Sequence, residues 1–189
     1  MITHVPRSPG RRAPFAALFA LAALGACTGE IDTPVAAEHI QALEADQVTF
    51  GMVSFVTTSG VREGRVEADT AYIYADSAHA DLRQMEITFY DEDGRERATV
   101  TGTKGEWSQE TNRMVARGDV VLFIFADSST IESQEIYYDP ELQRIWSDSA
   151  TVRTMTDGTV TSGSAFESDM EFTDIRIRDM RGGAARRVF

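Results

Sequence analysis

Four aromatic residues, Tyr72, Trp107, Tyr137 and Phe166, stand 35, 30 and 29 positions apart. Each closes a short run of small and β-branched residues, the runs opening at Val66, Val100, Ile131 and Val160. A second strand-like run follows each aromatic, over 85–90, 119–125, 150–155 and 175–178. The unit is therefore a pair of strands with a turn, about thirty residues long, the length of one supersecondary repeat. A lone strand pair cannot bury its apolar side, so such units have to stack on one another. After residue 45 no segment sustains the spacing of an amphipathic helix, while runs rich in Val, Ile, Thr, Tyr and Phe recur. The chain is thus expected to be all-β and antiparallel, with roughly ten or more strands of ordinary length.

Turn signals punctuate these runs at Ser59-Gly60, Asp93-Gly94, Asp127-Ser128, Asp139-Pro140, Asp157-Gly158 and Gly182-Gly183. Period-two alternation puts Ala68, Tyr72 and Tyr74 on one face, and Met85, Ile87 and Phe89 together on another. The run 120–125 is apolar throughout, which predicts cover on both sides. Gly102, Gly105 and Gly163 inside strand patterns predict bulges that bend the sheet.

Charge narrows the partners. The chain has 18 basic and 30 acidic residues, and its formal charge is -12. Nucleic-acid binding needs a basic face that displaces counterions from phosphates, so it is not expected here. A polybasic grip on anionic lipid is excluded on the same ground. One cysteine and three histidines leave no internal disulfide and little material for metal or acid–base chemistry.

The first 26 residues read as an address. Arg7, Arg11 and Arg12 precede an uncharged, Ala- and Leu-rich stretch over 13–26. As a helix this would rise about 21 Å, short of the roughly 30 Å hydrocarbon core, which favours a signal peptide over a spanning helix. Leu24-Gly25-Ala26-Cys27 resembles the bacterial lipobox, and the single cysteine stands where that lipidation requires it. The expected organisation is a lipoprotein signal peptide over 1–26, a lipid anchor and tether over 27–45, the β-domain over 46–181 and a flexible tail over 182–189.

Within the β-domain, Ala68-Asp69-Thr70-Ala71-Tyr72, Phe89-Tyr90-Asp91-Glu92-Asp93-Gly94, Ala116-Arg117-Gly118-Asp119-Val120-Val121 and Tyr137-Tyr138-Asp139-Pro140 follow in order. With the N-terminal anchor and linker, this ordered set resembles the LptC family of lipopolysaccharide-export proteins. The resemblance implies an open, twisted antiparallel β-jellyroll whose two sheets enclose an apolar groove for acyl chains. It also implies that lipopolysaccharide arrives from an inner-membrane ABC transporter (LptB/LptF/LptG-like) and leaves to an LptA-like jellyroll joined edge to edge. No cofactor, metal or nucleic acid belongs to that scheme. The best-known members are held by a transmembrane helix, whereas Cys27 here implies acylation, with the inner membrane favoured over the outer.

Each CH₂ withdrawn from water is worth about 0.8 kcal/mol, so a lipid crossing an aqueous compartment needs an apolar lining. Candidate lining residues are Tyr72, Tyr74, Ile87, Phe89, Trp107, Phe123, Phe125, Tyr138, Val152, Phe166 and Phe172. An unclosed jellyroll also exposes backbone donors and acceptors at its margins, where another sheet can pair. The opening strand, with Val48, Phe50, Val53 and Phe55, is expected to face the transporter. The closing strand, with Ile175 and Ile177, is expected to face the next bridge protein.

Two alternatives stay open on sequence: a structural or adhesive envelope lipoprotein with a filled β-domain, and a paired-carboxylate glycan hydrolase. Asp91-Glu92-Asp93-Gly94 lacks the later ligands of a calcium loop and reads as a hairpin turn. His39 and His79 have no partner at ligand spacing, and no Ser–His–Asp or nucleotide-binding motif is present.

Overall fold

The computed structural model describes residues 45–58 and 60–185, and among these there are twelve β-strands and no helix. Six long strands come first: β1 (Gln47–Thr58), β2 (Val61–Tyr74), β3 (His79–Tyr90), β4 (Glu96–Ser108), β5 (Met114–Ile124) and β6 (Ser129–Asp139). Each pairs antiparallel with the next. Six short strands follow: β7 (Arg144–Ser147), β8 (Thr151–Thr154), β9 (Thr159–Gly163), β10 (Ala165–Asp169), β11 (Ile175–Arg178) and β12 (Arg181–Ala185).

The sheet forks at β6. The C-terminal part of β6 pairs with β7, which leads through β10 to β11; its N-terminal part pairs with β8, which leads through β9 to β12. The chain thus alternates between two branches, and every long strand runs through both. The run expected as one strand over 160–166 is split at Ser164, where the chain crosses from one branch to the other. Gly163 allows that crossing, since a Cβ there would collide with the Arg178 carbonyl and the Ile177 side chain.

A crease separates the two walls. Gly51, Gln84, Gly118 and Asp119 all have left-handed backbones (φ 59°, 48°, 77° and 49°). The ladders shift between Thr101 and Lys104 and between Arg117 and Val120, so these irregularities fall in one row across the sheet. The buried side changes parity at that row. In β3, Ala80 and Leu82 face in before Gln84, and Met85, Ile87 and Phe89 face in after it. In β4 the switch runs from Val100 and Gly102 to Gly105 and Trp107, and in β6 from Ile131 and Ser133 to Ile136 and Tyr138. Because side chains alternate, a slip of one residue exchanges the faces. The slip therefore keeps apolar residues on the concave side as each strand passes from one wall into the other. Folded along the crease, the walls meet where Phe89 lies 5.0 Å from Tyr138, centroid to centroid.

The result is the open, twisted antiparallel β-jellyroll that the resemblance implies. Two expectations need correcting. The outer face of the run over 120–125 is not covered: Val120, Leu122 and Ile124 are buried, but Val121 and Phe123 are half-buried and Phe125 is exposed. No second layer packs over that face among the described residues. The C-terminal tail also does not start at Gly182, because β12 continues to Ala185 and pairs with β9. Cys27 and the segments over 1–26 and 27–44 lie outside the described residues.

The aspartates explain the turns. Asp91 accepts the Arg95 N–H at 2.8 Å around Gly94 (φ 79°), and Asp157 accepts the Thr159 N–H at 2.8 Å around Gly158 (φ 81°). Asp127 accepts from Ser129 N–H, and Asp139 from Glu141 and Leu142 N–H. Such side chains close their own turns, so much of the chain's acidity is turn chemistry.

Candidate functional site: the interior and the two margins of the sheet

Six of the eleven candidate lining residues point into the space between the walls: Ile87, Phe89, Trp107, Tyr138, Phe166 and Phe172, each no more than 6% exposed. Phe89 brings two of them together, with Tyr138 at 5.0 Å and Phe172 at 6.2 Å. The other five lie elsewhere. Tyr72 and Tyr74 face outward because β2 changes parity and buries Ala71 and packs Ile73 inward. Tyr72 lies beneath the Arg83 guanidinium at 5.4 Å, and Tyr74 beside His79 at 6.0 Å. Phe123 and Phe125 meet edge to face at 5.0 Å on the outer surface of β5, and Val152 is exposed on β8. The remaining lining comes from aliphatic residues such as Leu82, Val100, Leu122, Ile131 and Ile136. Alternation would have found these, had the crease been allowed for.

The interior is mostly occupied by its own side chains, and a cleft of about 640 Å³ opens beside the Phe89–Tyr138 contact. Phe89, Tyr138 and Met170 supply its apolar surface, while Arg62, Arg97 and Glu171 stand at its rim. Burial, together with the charges of Glu63 and Asp139, pushes the Tyr138 phenol up to about 12, so it stays neutral and apolar in character. Arg62 lies over the rings of Phe55 at 4.4 Å and Tyr90 at 6.0 Å. Deeper in, the Trp107 indole N–H is buried without a hydrogen-bond partner.

The predicted margins sit on the two ends of the strand order. β1 pairs only with β2. Phe50 (67%), Val53 (54%) and Phe55 (49%) are exposed on it, Val48 is half-buried, and no charged residue occurs between Gln47 and Thr58. At the other end, Ile175 and Ile177 of β11 pack partly against the core, while Arg176 and Arg178 are exposed. The outer face of this branch is laced by Arg117 with Glu106, a stacked Tyr137–Trp146 pair at 5.4 Å, and Arg144 with Glu167 at 2.5 Å. The Tyr137 hydroxyl donates to Glu135, which raises its pKa, with burial acting in the same direction.

Among the described residues no group of His, Cys, Asp and Glu is arranged to hold a metal ion. His79 Nε2 pairs with Asp81 at 3.0 Å and stands apart from the cleft. No described helix is long and apolar enough to cross a membrane.

The family model "Lipopolysaccharide-assembly, LptC-related" matches residues 15–178, most of the chain. The chain belongs to the LptC family. As a member it is a non-enzymatic, periplasmic component of lipopolysaccharide transport, which closes the glycan-hydrolase alternative. The LptC-type fold also resembles a solved structure: LptH, described as the LptA-homologous periplasmic component of the lipopolysaccharide transport device of Pseudomonas aeruginosa. The two superpose with a TM-score of 0.50 at 16% identity, over 60% of this chain and 80% of LptH. At that identity the likeness concerns the fold. No curated protein sequence matches the chain.

Proposed function

We propose that this LptC-family chain is a lipid-anchored bridge subunit. It receives lipopolysaccharide from an LptB/LptF/LptG-like transporter in the inner membrane and hands it to an LptA-like jellyroll. The observation that carries this reading is an apolar interior lying between two unpaired sheet margins. β1 offers the transporter's β-domain an uncharged strand to pair with, and β11 offers a second margin to the next jellyroll. Acylated Cys27 would tether the domain through the segment preceding β1.

A photo-crosslinking amino acid at Phe89 or Tyr138 is expected to capture lipopolysaccharide in cells, whereas one at Phe125, on the outer face, is not. Equal capture at all three positions, or none, overturns the reading. Cys27→Ala is expected to release the protein from membranes. The Phe89–Tyr138–Phe172 cluster favours one competitor, an envelope lipoprotein whose interior is simply filled, and the same crosslinking experiment separates the two.

A further inference from the structure

The contact that closes the interior is made by one short turn. Residues 169–174 join β10 to β11, and Phe172 at their centre is 6% exposed with φ 57°. A bulky side chain in the left-handed region carries backbone strain and persists only where its surroundings enforce it; such strain gathers at clamps and switches. Two kinds of contact enforce it here. Asp169 gathers the turn, accepting the Thr173 N–H at 2.9 Å and the Thr173 hydroxyl at 2.8 Å. Arg97, on β4, reaches across, donating to the Met170 carbonyl at 3.3 Å and pairing with Glu171 at 2.5 Å. The Phe172 ring then rests 6.2 Å from Phe89 on the facing wall, at the border of the 640 Å³ cleft.

We infer that Phe172 occupies the place of an acyl tail, and that an incoming lipid enters by displacing the 169–174 turn. This rests on the function proposed above and deepens it by naming the entry point. The exchange balances chemically. A hydrocarbon end replaces an aromatic ring against Phe89, Tyr138 and Met170, so apolar area stays covered. Arg97 loses Glu171 and gains the acid group of the lipid, so the guanidinium keeps an anionic partner. Release of the left-handed Phe172 favours the outgoing turn. The cleft volume lies within the 300–1,000 Å³ or so usual for ligand sites.

The test uses the purified full chain and cis-parinaric acid, a fluorescent fatty acid, with its methyl ester as an uncharged control. Phe172→Ala is expected to tighten binding of both probes by roughly tenfold, since one buried ring no longer competes. Glu171→Ala, at an exposed position that does not threaten folding, is expected to tighten the acid severalfold and the ester less. Wild-type binding that neither substitution improves overturns the entry site and leaves lipid carriage standing. No binding by any form, together with no lipopolysaccharide crosslink at Phe89, defeats the carriage reading itself.

Discussion

At its N-terminal end the sheet stops in one unbroken strand of twelve residues without a charge; at its C-terminal end it stops twice, in β11 and β12, four and five residues long. β1 spans the crease, so a partner paired along it holds both walls at once. The forked end offers each wall separately, with Arg176, Arg178 and Arg181 close by. Exposed edges are usually blunted by charge, shortness or bulges. The C-terminal end uses the first two devices, whereas β1 leaves Phe50, Val53 and Phe55 in the open and has a ladder shift only near its end, between Val56 and Thr57. The contrast suits a permanent partner for β1 and an exchangeable one for the fork.

The strongest way to break this contrast is through what both ends share. Leu122 is fully buried in the common core, and Leu122→Ala is expected to cost about 2–5 kcal/mol in denaturant unfolding, with both ends lost in one transition. If β11 melted alone, the two branches would be independent units. Next in size, Phe50→Lys combined with Phe55→Lys should cut capture of the transporter-side jellyroll by at least roughly tenfold. The same pair should move unfolding by only about 0.5 kcal/mol, because both side chains are exposed. A smaller effect is expected from Arg176→Glu with Arg178→Glu: a severalfold loss of LptA-like binding at low salt that fades as ionic strength rises, since exposed charges are screened. Salt-independent loss there would mean that the fork, like β1, binds by apolar contact.

These margins were largely legible in the sequence, because β1 opens the series of strand runs and the last β-branched run ends at Arg178. The interior was less so. Met85, Ile87 and Phe89 share a face as alternation requires, yet Tyr72 and Tyr74 do not join them, because the faces exchange at a crease that only Gly51 and Gly118 mark with glycine. At Gln84 and Asp119 the left-handed turn falls on residues that advertise nothing. Arg97, Glu171 and Phe172 come together from positions more than seventy residues apart, a proximity set by the walls folding over and invisible to spacing.

Acid offers the finest probe of the asymmetry, because the groups it reaches lie on the forked side. Burial pushes the Asp169 carboxyl up, but the Thr173 hydroxyl and the Asp174 and Thr173 N–H groups hold it below the usual range. Asp127 behaves alike: burial raises it, while Ser129 and the Arg153 guanidinium prevail and lower it. Asp169 fastens the turn before β11, and Asp127 fastens β8 through Arg153. No titratable side chain lies between Gln47 and Thr58. A carboxyl depressed in the folded state stabilises above its unfolded pKa, about 3.9, and that contribution disappears as pH falls through the folded value. Amide protection of β8 and β11 should therefore weaken relative to β1 as pH drops from about 5 to below 4, by a modest amount because both carboxylates are partly solvated. Asp169→Asn should remove the pH response of β11 while leaving that of β8. If β1 lost protection in step with them, the two ends would be held by one common set of interactions, and the division between a fixed and an exchangeable margin would fail.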